Sequence, residues 1–230
     1  MDDVVIIACE TIRYELNAAI KETGENIEVI WIDSRYHNDP DGLREKLQQE
    51  IDSIKDKKTI LLGFGCCGNA LVGIKATTAD LIIPKTDDCI SMMLSKEGEK
   101  FERIKKTYFL TKGWIESPKS LVVEYNRALE KYGEKKVQRI FNVMLKNYEY
   151  LMLIDTGCYE IDQCIDQTIE ISEFTHLELI VNKGDIWLLK KLVTGPHDDD
   201  FCLIPKGEKV KIGHFGYIGI DASSKIRNII

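Results

Sequence analysis

The sequence lacks a basic excess, a long hydrophobic run and a leader-like amino terminus. Its formal net charge is −7 at pH 7, which argues against nonspecific binding to nucleic acid or to an anionic membrane, because both need a basic surface. No apolar run approaches the ~20 residues of a membrane-spanning helix. The first residues, Met1 to Asp3, lack the basic region of a signal peptide. We therefore expect a cytoplasmic protein that binds neither membranes nor nucleic acid.

The sequence also lacks the CxxC spacing of many zinc and iron–sulfur sites, although it contains seven cysteines. An odd number cannot pair completely within one chain, and structural disulfides are rare in cytoplasmic proteins. The stretch from Gly63 to Asn69 reads GFGCCGN and matches neither GxGxxG nor a P-loop, so it is weak evidence for a nucleotide site. Three interpretations of the cysteines remain: metal ligands, reactive thiols or ordinary core residues.

Short apolar runs alternate with helical patterns along the 230 residues, of which 44% are hydrophobic. The runs that read as buried strands are Val4–Ala8, Ile27–Ile32, Thr59–Phe64, Leu81–Pro84, Thr107–Thr111, Tyr150–Ile154 and Leu177–Val181. This alternation predicts an α/β fold with a doubly wound, mostly parallel sheet, arranged as two Rossmann-like lobes with a cleft between them.

The order of these patterns also predicts domain boundaries. We expect an amino-terminal α/β lobe over residues 1–116, a helical connector over residues 117–147 and a carboxyl-terminal α/β lobe over residues 148–230. Within this scheme, small residues predict a helix over Ala70–Ala76, and Ser117–Pro118 has the character of a helix start.

Two segments of the chain are similar to each other. Each has a strand, a Gly-Cys turn, a helix, a second strand and an aspartate turn, in the same order. Either one unit was duplicated, or any two βαβα segments are this alike. If it was duplicated, Cys158 and Asp185 are the counterparts of Cys67 and Asp88.

Cysteine follows three of the predicted strands, at Cys9, Cys67 and Cys89. Because the carboxyl ends of parallel strands share one edge of the sheet, we expect these cysteines to converge. Three thiolates can bind Zn²⁺ with one open position, or a [4Fe–4S] cluster with one non-cysteine iron, and the sequence does not choose between them. Helix amino termini behind Cys67 and Cys89 favour the thiolate form. Three reduced, half-buried core thiols are the alternative.

Other candidate site residues follow the same predicted strand ends. His37 is a candidate fourth ligand or proton carrier, although a loop histidine often has neither role. Asp88 is a candidate general base, with helix capping as the alternative. Gly65 and Gly68 suggest a cofactor-binding turn. Trp114 is a candidate floor for a ligand pocket, or a core residue.

Six segments of the chain resemble the DUF1638 family, a group of uncharacterised proteins of anaerobic bacteria and archaea. They are ACE from Ala8, YHNDP from Tyr36, GFGCCGN from Gly63, IPKTDDCI from Ile83, YFLTKGWIE from Tyr108 and LIDTGCY from Leu153. They span most of the chain in order. In the family pattern Cys9, Cys67 and Cys89 are the regular cysteines. The less regular ones are Cys66, Cys158, Cys164 and Cys202.

The resemblance implies little chemistry by itself. Relatives resemble genomic companions of corrinoid-dependent methyl-transfer systems, which implies a small-molecule substrate and a corrinoid protein or methyltransferase as partner. We expect a metal-dependent enzyme in one-carbon metabolism. The alternatives are a metal- or cofactor-binding accessory protein, and a redox module built on Cys66 and Cys67, whose adjacent thiols bridge only through a strained ring.

Overall fold

The computed structural model describes residues 3–99 and 101–216 of the chain. Its strands are β1 Val4–Cys9, β2 Glu28–Ile32, β3 Thr59–Gly63, β4 Asp80–Pro84, β5 Thr107–Leu110, β6 Tyr150–Asp155, β7 Glu178–Lys183 and β8 Phe201–Ile204. Its α-helices are α1 Arg13–Thr23, α2 Pro40–Ser53, α3 Cys89–Leu94, α4 Lys112–Ile115, α5 Leu121–Tyr132, α6 Glu134–Met144, α7 Ile161–Thr175 and α8 Trp187–Thr194. The strands form two mostly parallel sheets, so the predicted α/β class is confirmed.

The larger sheet has five strands in the order β2-β1-β3-β4-β8, of which only β8 is antiparallel to its neighbour. Alternate residues of β1 enter different cores: Val5 and Ile7 pack with α2, whereas Ile6 and Ala8 pack with α1 and α8. Helices therefore cover both faces, as a buried parallel sheet requires. The strand order reverses between β1 and β3, and ligands bind in open α/β sheets outside the carboxyl ends at such a point.

The smaller sheet has three parallel strands in the order β5-β6-β7. Helices α5, α6 and α7 share one core with it, in which Val122 and Phe141 pack with Leu151 and Leu153. The sheets do not follow the predicted domain boundaries, because β5 pairs with β6 and β8 pairs with β4. The boundaries stay a prediction, and residues 217–230 of the last predicted lobe lie outside the described residues. No helix in the described ranges has both the length and the apolarity to span a membrane.

Local sequence signals explain the start of α2. The Asp39 carboxylate caps α2 and Pro40 is its first residue, because an extended residue with a short polar side chain followed by proline suits a helix start. The predicted start at Ser117–Pro118 is wrong. Ser120 caps α5 instead and accepts a hydrogen bond from the Val123 amide.

The helix predicted over Ala70–Ala76 is also wrong, since this segment forms successive turns. Its backbone bonds to the chain beyond β8: the Gly73 amide donates to the Val210 carbonyl at 3.0 Å, and the Ala76 amide donates to the Glu208 carbonyl at 2.9 Å. Gly73 has a φ of 102°, which a helix does not allow. Distant backbone partners thus override a local preference of small residues for helix.

Candidate functional site

A small cavity lies at the carboxyl edge of the five-stranded sheet, where β1 and β3 end. We call it the thiol cavity; its lining residues are Cys9, His37, Leu43, Gly63, Phe64, Cys67 and Cys89. Its volume is about 20 Å³, close to the smallest space that holds one water molecule. The structure therefore brings together the three predicted cysteines and the predicted histidine, which lie far apart in the sequence.

Strand β1 delivers Cys9, its last residue, to the cavity. The side chain is 7% exposed. The hydroxyl of Thr11 lies 3.1 Å from the Cys9 sulfur and donates a hydrogen bond to it. Thr11 thus holds the sulfur of one of the three cysteines. Sequence reasoning missed it, although it lies only two residues after Cys9.

A turn with unusual backbone angles delivers Cys67. Cys67 has a φ of 47°, and Gly68 and Asn69 follow at 62° and 70°, so three consecutive residues are left-handed. For a residue with a Cβ atom this conformation costs of order 1–3 kcal/mol, and such residues cluster at functional sites. The turn also separates the two adjacent cysteines. The Cys66 thiol donates to the Asn69 side-chain oxygen at 3.4 Å and does not line the cavity.

The two predicted cofactor glycines have packing and turn roles here. A Cβ atom on Gly65 would lie 2.7 Å from the Asp88 backbone nitrogen, so only glycine allows the loops after β3 and β4 to approach so closely. The Cys66 amide donates to the Thr86 carbonyl at 2.8 Å, and the next pair of residues repeats this bond. Gly68 is exposed on the turn. Because backbone partners take these amides, they are not available to a phosphate.

Cys89 begins α3, and its thiol is 6% exposed. The preceding residue, Asp88, accepts hydrogen bonds from the Ser91 amide at 3.0 Å and the Ser91 hydroxyl at 3.1 Å. Its other oxygen forms an ion pair with Arg103. The structure thus shows Asp88 as a helix cap and ion-pair partner. Its use as a general base stays a prediction. In that role, a proton would compete with Arg103 for the Asp88 carboxylate.

Burial raises the pKa of all three thiols that line the cavity. Desolvation is the largest cause, and for Cys67 and Cys89 the negative charge of Asp88 adds to it. Turns follow Cys67, so the helix terminus predicted there is wrong. A helix, α3, does begin at Cys89, as predicted. A bound cation would reverse the preference, because a coordinated thiol loses its proton.

His37 reaches the cavity from the 3₁₀ turn Ser34–Asn38, with its ring stacked on Trp114 at 4.4 Å between centroids. Trp114 belongs to α4, which follows β5 of the smaller sheet, and its ring N–H donates to the Tyr108 hydroxyl at 3.2 Å. Trp114 is therefore a buried support behind the histidine and does not line the cavity. Although His37 as a residue is exposed, desolvation of its ring lowers its pKa more than the charge of Asp88 raises it. The neutral ring that results is the form that binds metals.

The remaining cysteines lie elsewhere. Cys164 and Cys202 are 1% and 3% exposed and belong to the cores of the smaller and larger sheets. Cys158 is half-buried and donates to the Thr156 carbonyl at 3.5 Å. All seven cysteines are free thiols. Of the seven cysteines, Cys9, Cys67 and Cys89 line the thiol cavity.

The converging side chains do not form a ready coordination shell. Across residues 3–99 and 101–216, no group of three or more His, Cys, Asp or Glu side chains is placed so that it could hold a metal ion. What the structure contains is a set of soft donors facing one void. Two apolar side chains, the aliphatic Leu43 and the aromatic Phe64, complete the lining of the cavity. Sequence reasoning missed both, because they look like ordinary core residues.

Fold and cavity together define an α/β protein with a thiol-lined site at the strand-order reversal of its larger sheet. A family model described as "Protein of unknown function (DUF1638)" matches residues 31–193. Since the match covers most of the chain, the protein belongs to the DUF1638 family. The matched region contains His37, Cys67 and Cys89, whereas Cys9 and Thr11 precede it. Comparisons with curated proteins and with solved structures found no match.

Proposed function

We propose that the thiol cavity binds a single soft metal ion and that the protein is an enzyme that uses this ion to activate a small molecule. The observation that carries the proposal is the convergence of Cys9, Cys67 and Cys89 on one void of about 20 Å³. Its position at the carboxyl ends of β1 and β3, where the strand order reverses, supports it. As part of the same proposal, the two sheets are two Rossmann-like lobes, and the contact of His37 with Trp114 lies in the cleft between them.

The donor set fits a soft ion. Cysteine thiolates bind Zn²⁺ and iron–sulfur clusters, and a neutral His37 is suited to be a fourth ligand. The cavity volume favours one ion, because four irons and four sulfurs need more room than one water molecule occupies. Zinc is therefore the metal that we favour. The strained backbone of Cys67 supports a functional role for that thiol in particular.

The surrounding residues suit a protected reaction. Zinc with thiolate ligands and an open position lowers the pKa of a bound thiol or water and so supplies a nucleophile. Leu43 and Phe64 exclude water, which strengthens every charge interaction inside the site. Where that position stays open, His37 is not a ligand, and its neutral ring is able to accept the proton that the nucleophile loses. Asp88 is the second candidate base.

The substrate and the partner are the parts of the proposal that extend furthest beyond the geometry of the site. A small thiol would be the methyl acceptor, and a corrinoid protein or methyltransferase would be the partner in a cytoplasmic one-carbon pathway. Only the family resemblance supports these parts. Activity of the purified protein with methyl donors and small thiols tests them separately from the metal.

A second candidate is a metal-holding accessory protein without turnover. The small cavity favours it, since a volume of about 20 Å³ is filled by one ion and any substrate would have to approach from outside the cavity. The redox alternative has less support, because the Cys66 thiol is bonded to Asn69 whereas Cys67 lines the cavity. Metal content with turnover supports the enzyme, and metal content without it supports the accessory protein.

Elemental analysis with an absorption spectrum of protein purified without oxygen tests the proposal. We expect about one zinc per chain and no visible absorption, because Zn²⁺ has a filled d shell. Iron with equal sulfide and a visible spectrum would replace the single ion by a cluster. Protein that carries no metal, and takes up neither zinc nor iron when supplied with them, would overturn the site.

A further inference from the structure

We infer that Thr11 is a positioning residue of the thiol cavity: its hydroxyl holds the sulfur of Cys9, and the smaller sheet fixes its place. The inference rests on the proposed function, because it concerns how the ligands of that site are held. Thr11 does not line the cavity. It acts through Cys9, which does.

The contacts of the hydroxyl carry the first step. It donates to the Cys9 sulfur at 3.1 Å. Thr11 is 1% exposed, so water does not compete for this bond. A hydroxyl donates one hydrogen, and a thiolate sulfur accepts it as a thiol sulfur does, so the bond can persist when Cys9 binds a metal. Removing the hydroxyl would leave the Cys9 sulfur without this anchor.

The backbone of Thr11 is fixed from the other sheet. Its carbonyl accepts a hydrogen bond from the Thr111 hydroxyl at 3.2 Å. A Cβ atom on Gly113 would lie 2.4 Å from that carbonyl oxygen and 3.1 Å from the Glu10 carbonyl oxygen. Helix α4 therefore presses its backbone against the 3₁₀ turn Glu10–Ile12, and only glycine fits the contact.

The same turn reaches the histidine. The Glu10 carboxylate accepts a hydrogen bond from the Ser34 amide at 3.1 Å, and Ser34 begins the 3₁₀ turn that carries His37. Helix α4 also supplies Trp114, which stacks on His37. The turn Glu10–Ile12 thus connects Cys9, the histidine loop and α4, and Thr11 is its contact with the Cys9 sulfur.

The role predicts a loss of metal affinity that a purely structural threonine would not cause. Groups that orient metal ligands typically contribute about 10–100-fold to affinity. We expect Thr11→Val, which keeps the shape and removes the hydroxyl, to bind Zn²⁺ and Cd²⁺ about 10–100-fold more weakly. Thr11→Ser should restore affinity to within a few-fold. Gly113→Ala should resemble Thr11→Val, since it displaces the turn without touching a sulfur.

The measurement is competition with a chromophoric chelator, with the cadmium–thiolate absorption and metal-free unfolding recorded in parallel. Thr168→Val is the matched control, because Thr168 is equally buried and its hydroxyl donates to the Cys164 carbonyl at 2.8 Å, within the helix α7. It should lower stability and leave the metal affinity and cadmium absorption unchanged. If Thr11→Val does not fold, Thr11→Ala replaces it.

Two results would overturn the inference in different ways. Wild-type affinity and absorption in the variant that lacks the hydroxyl, or Thr11→Ser as weak as that variant, would remove the role of Thr11 while the metal site stands. A wild-type protein that binds neither Zn²⁺ nor Cd²⁺ would remove the proposed site and this role together.

Discussion

The carboxyl ends of β3 and β6 make an instructive comparison. Both strands run into a Gly-Cys turn and lie beside the next parallel strand, β4 or β7. At β3 the thiol of Cys67 faces a cavity with two other cysteines, whereas at β6 the thiol of Cys158 bonds to the carbonyl of its own turn. Helix α7 connects β6 to β7, but turns alone connect β3 to β4. Similar sequence patterns thus yield one open site and one closed edge.

The predicted counterparts Asp88 and Asp185 do share a local role. Asp88 accepts from the amide three residues ahead at the start of α3, and Asp185 accepts from the Trp187 amide at 2.7 Å at the start of α8. Aspartate commonly accepts from free amides at helix starts. The duplicated origin of the two segments stays a prediction, because an aspartate bonded to a helix-start amide does not distinguish it from chance.

A buried carboxyl fills the edge at β6. Glu15 is 0% exposed, and one of its oxygens accepts from the Thr156 hydroxyl at 3.3 Å. Its other oxygen has no hydrogen-bond partner in the described part of the chain. Tyr159 closes the same edge by donating to the Ile154 carbonyl. The two edges therefore differ in how they are packed. At β3 the cysteines leave a small cavity, whereas at β6 the carboxyl of Glu15 and the phenol of Tyr159 occupy the corresponding space.

The largest effect that we predict concerns this carboxyl. Desolvation raises the pKa of Glu15 from 4.5 to about 7 in the folded protein. Between these values the unfolded chain is ionised while the folded chain keeps its proton, so the free energy of unfolding falls as pH rises and stays low above pH 7. Relative to wild type, Glu15→Gln should gain about 3 kcal/mol between pH 4 and pH 8.

Urea unfolding of both proteins across this pH range measures the difference. Glu28→Gln, at an exposed position of β2, is the control for removing one carboxylate from the chain. A flat difference profile for Glu15→Gln would show that Glu15 is ionised in the folded protein. Metal affinity at the other edge should be the same in both variants.

The next effect separates two tightly packed glycines. A Cβ atom on Gly65 would meet the Asp88 backbone nitrogen at 2.7 Å, whereas one on Gly184 would meet a side-chain carbon of Ile154 at the same distance. Side chains adjust more readily than backbone. Gly65→Ala should therefore lose about 1–3 kcal/mol of stability and most of the bound metal. Gly184→Ala should lose less stability and no metal, and equal metal loss in both would contradict the distinction.

A smaller effect isolates the strain at Cys67. Glycine adopts its φ of 47° freely, whereas a residue with a Cβ atom pays about 1–2 kcal/mol. Cys67→Gly should be about 1 kcal/mol more stable than Cys67→Ala, and both should lose the metal. Chemical unfolding of the two variants tests this. Alanine as stable as glycine would mean that the turn is not strained.

The smallest effect is expected at the closed edge. Cys158 is half-buried and bonded to a nearby carbonyl, so Cys158→Ser keeps a donor in place and should change stability by less than about 1 kcal/mol. Metal content should not change. Loss of metal in this variant would mean that the edge at β6 also contributes to metal binding. The contrast between the two edges would then be wrong.

Strand and turn patterns predicted the convergence of the cysteines, because cysteine at the end of a parallel strand has only one edge to occupy. Three features were beyond local patterns. Ala70–Ala76 is turn because its backbone pairs with a segment about 135 residues later. Thr11 and Trp114 become site supports only through packing of the smaller sheet against the larger one. The direction of the thiol pKa shifts depends on burial, which periodicity does not report.

Metal content of cysteine-to-serine variants purified without oxygen tests the central claim most directly. Serine is nearly isosteric with cysteine but is a poor ligand for soft metals. We predict that Cys9→Ser, Cys67→Ser and Cys89→Ser each lose most of the metal, whereas Cys158→Ser, Cys164→Ser and Cys202→Ser retain it. Equal metal content in all six variants, or wild type that carries none and takes none up, would contradict the account.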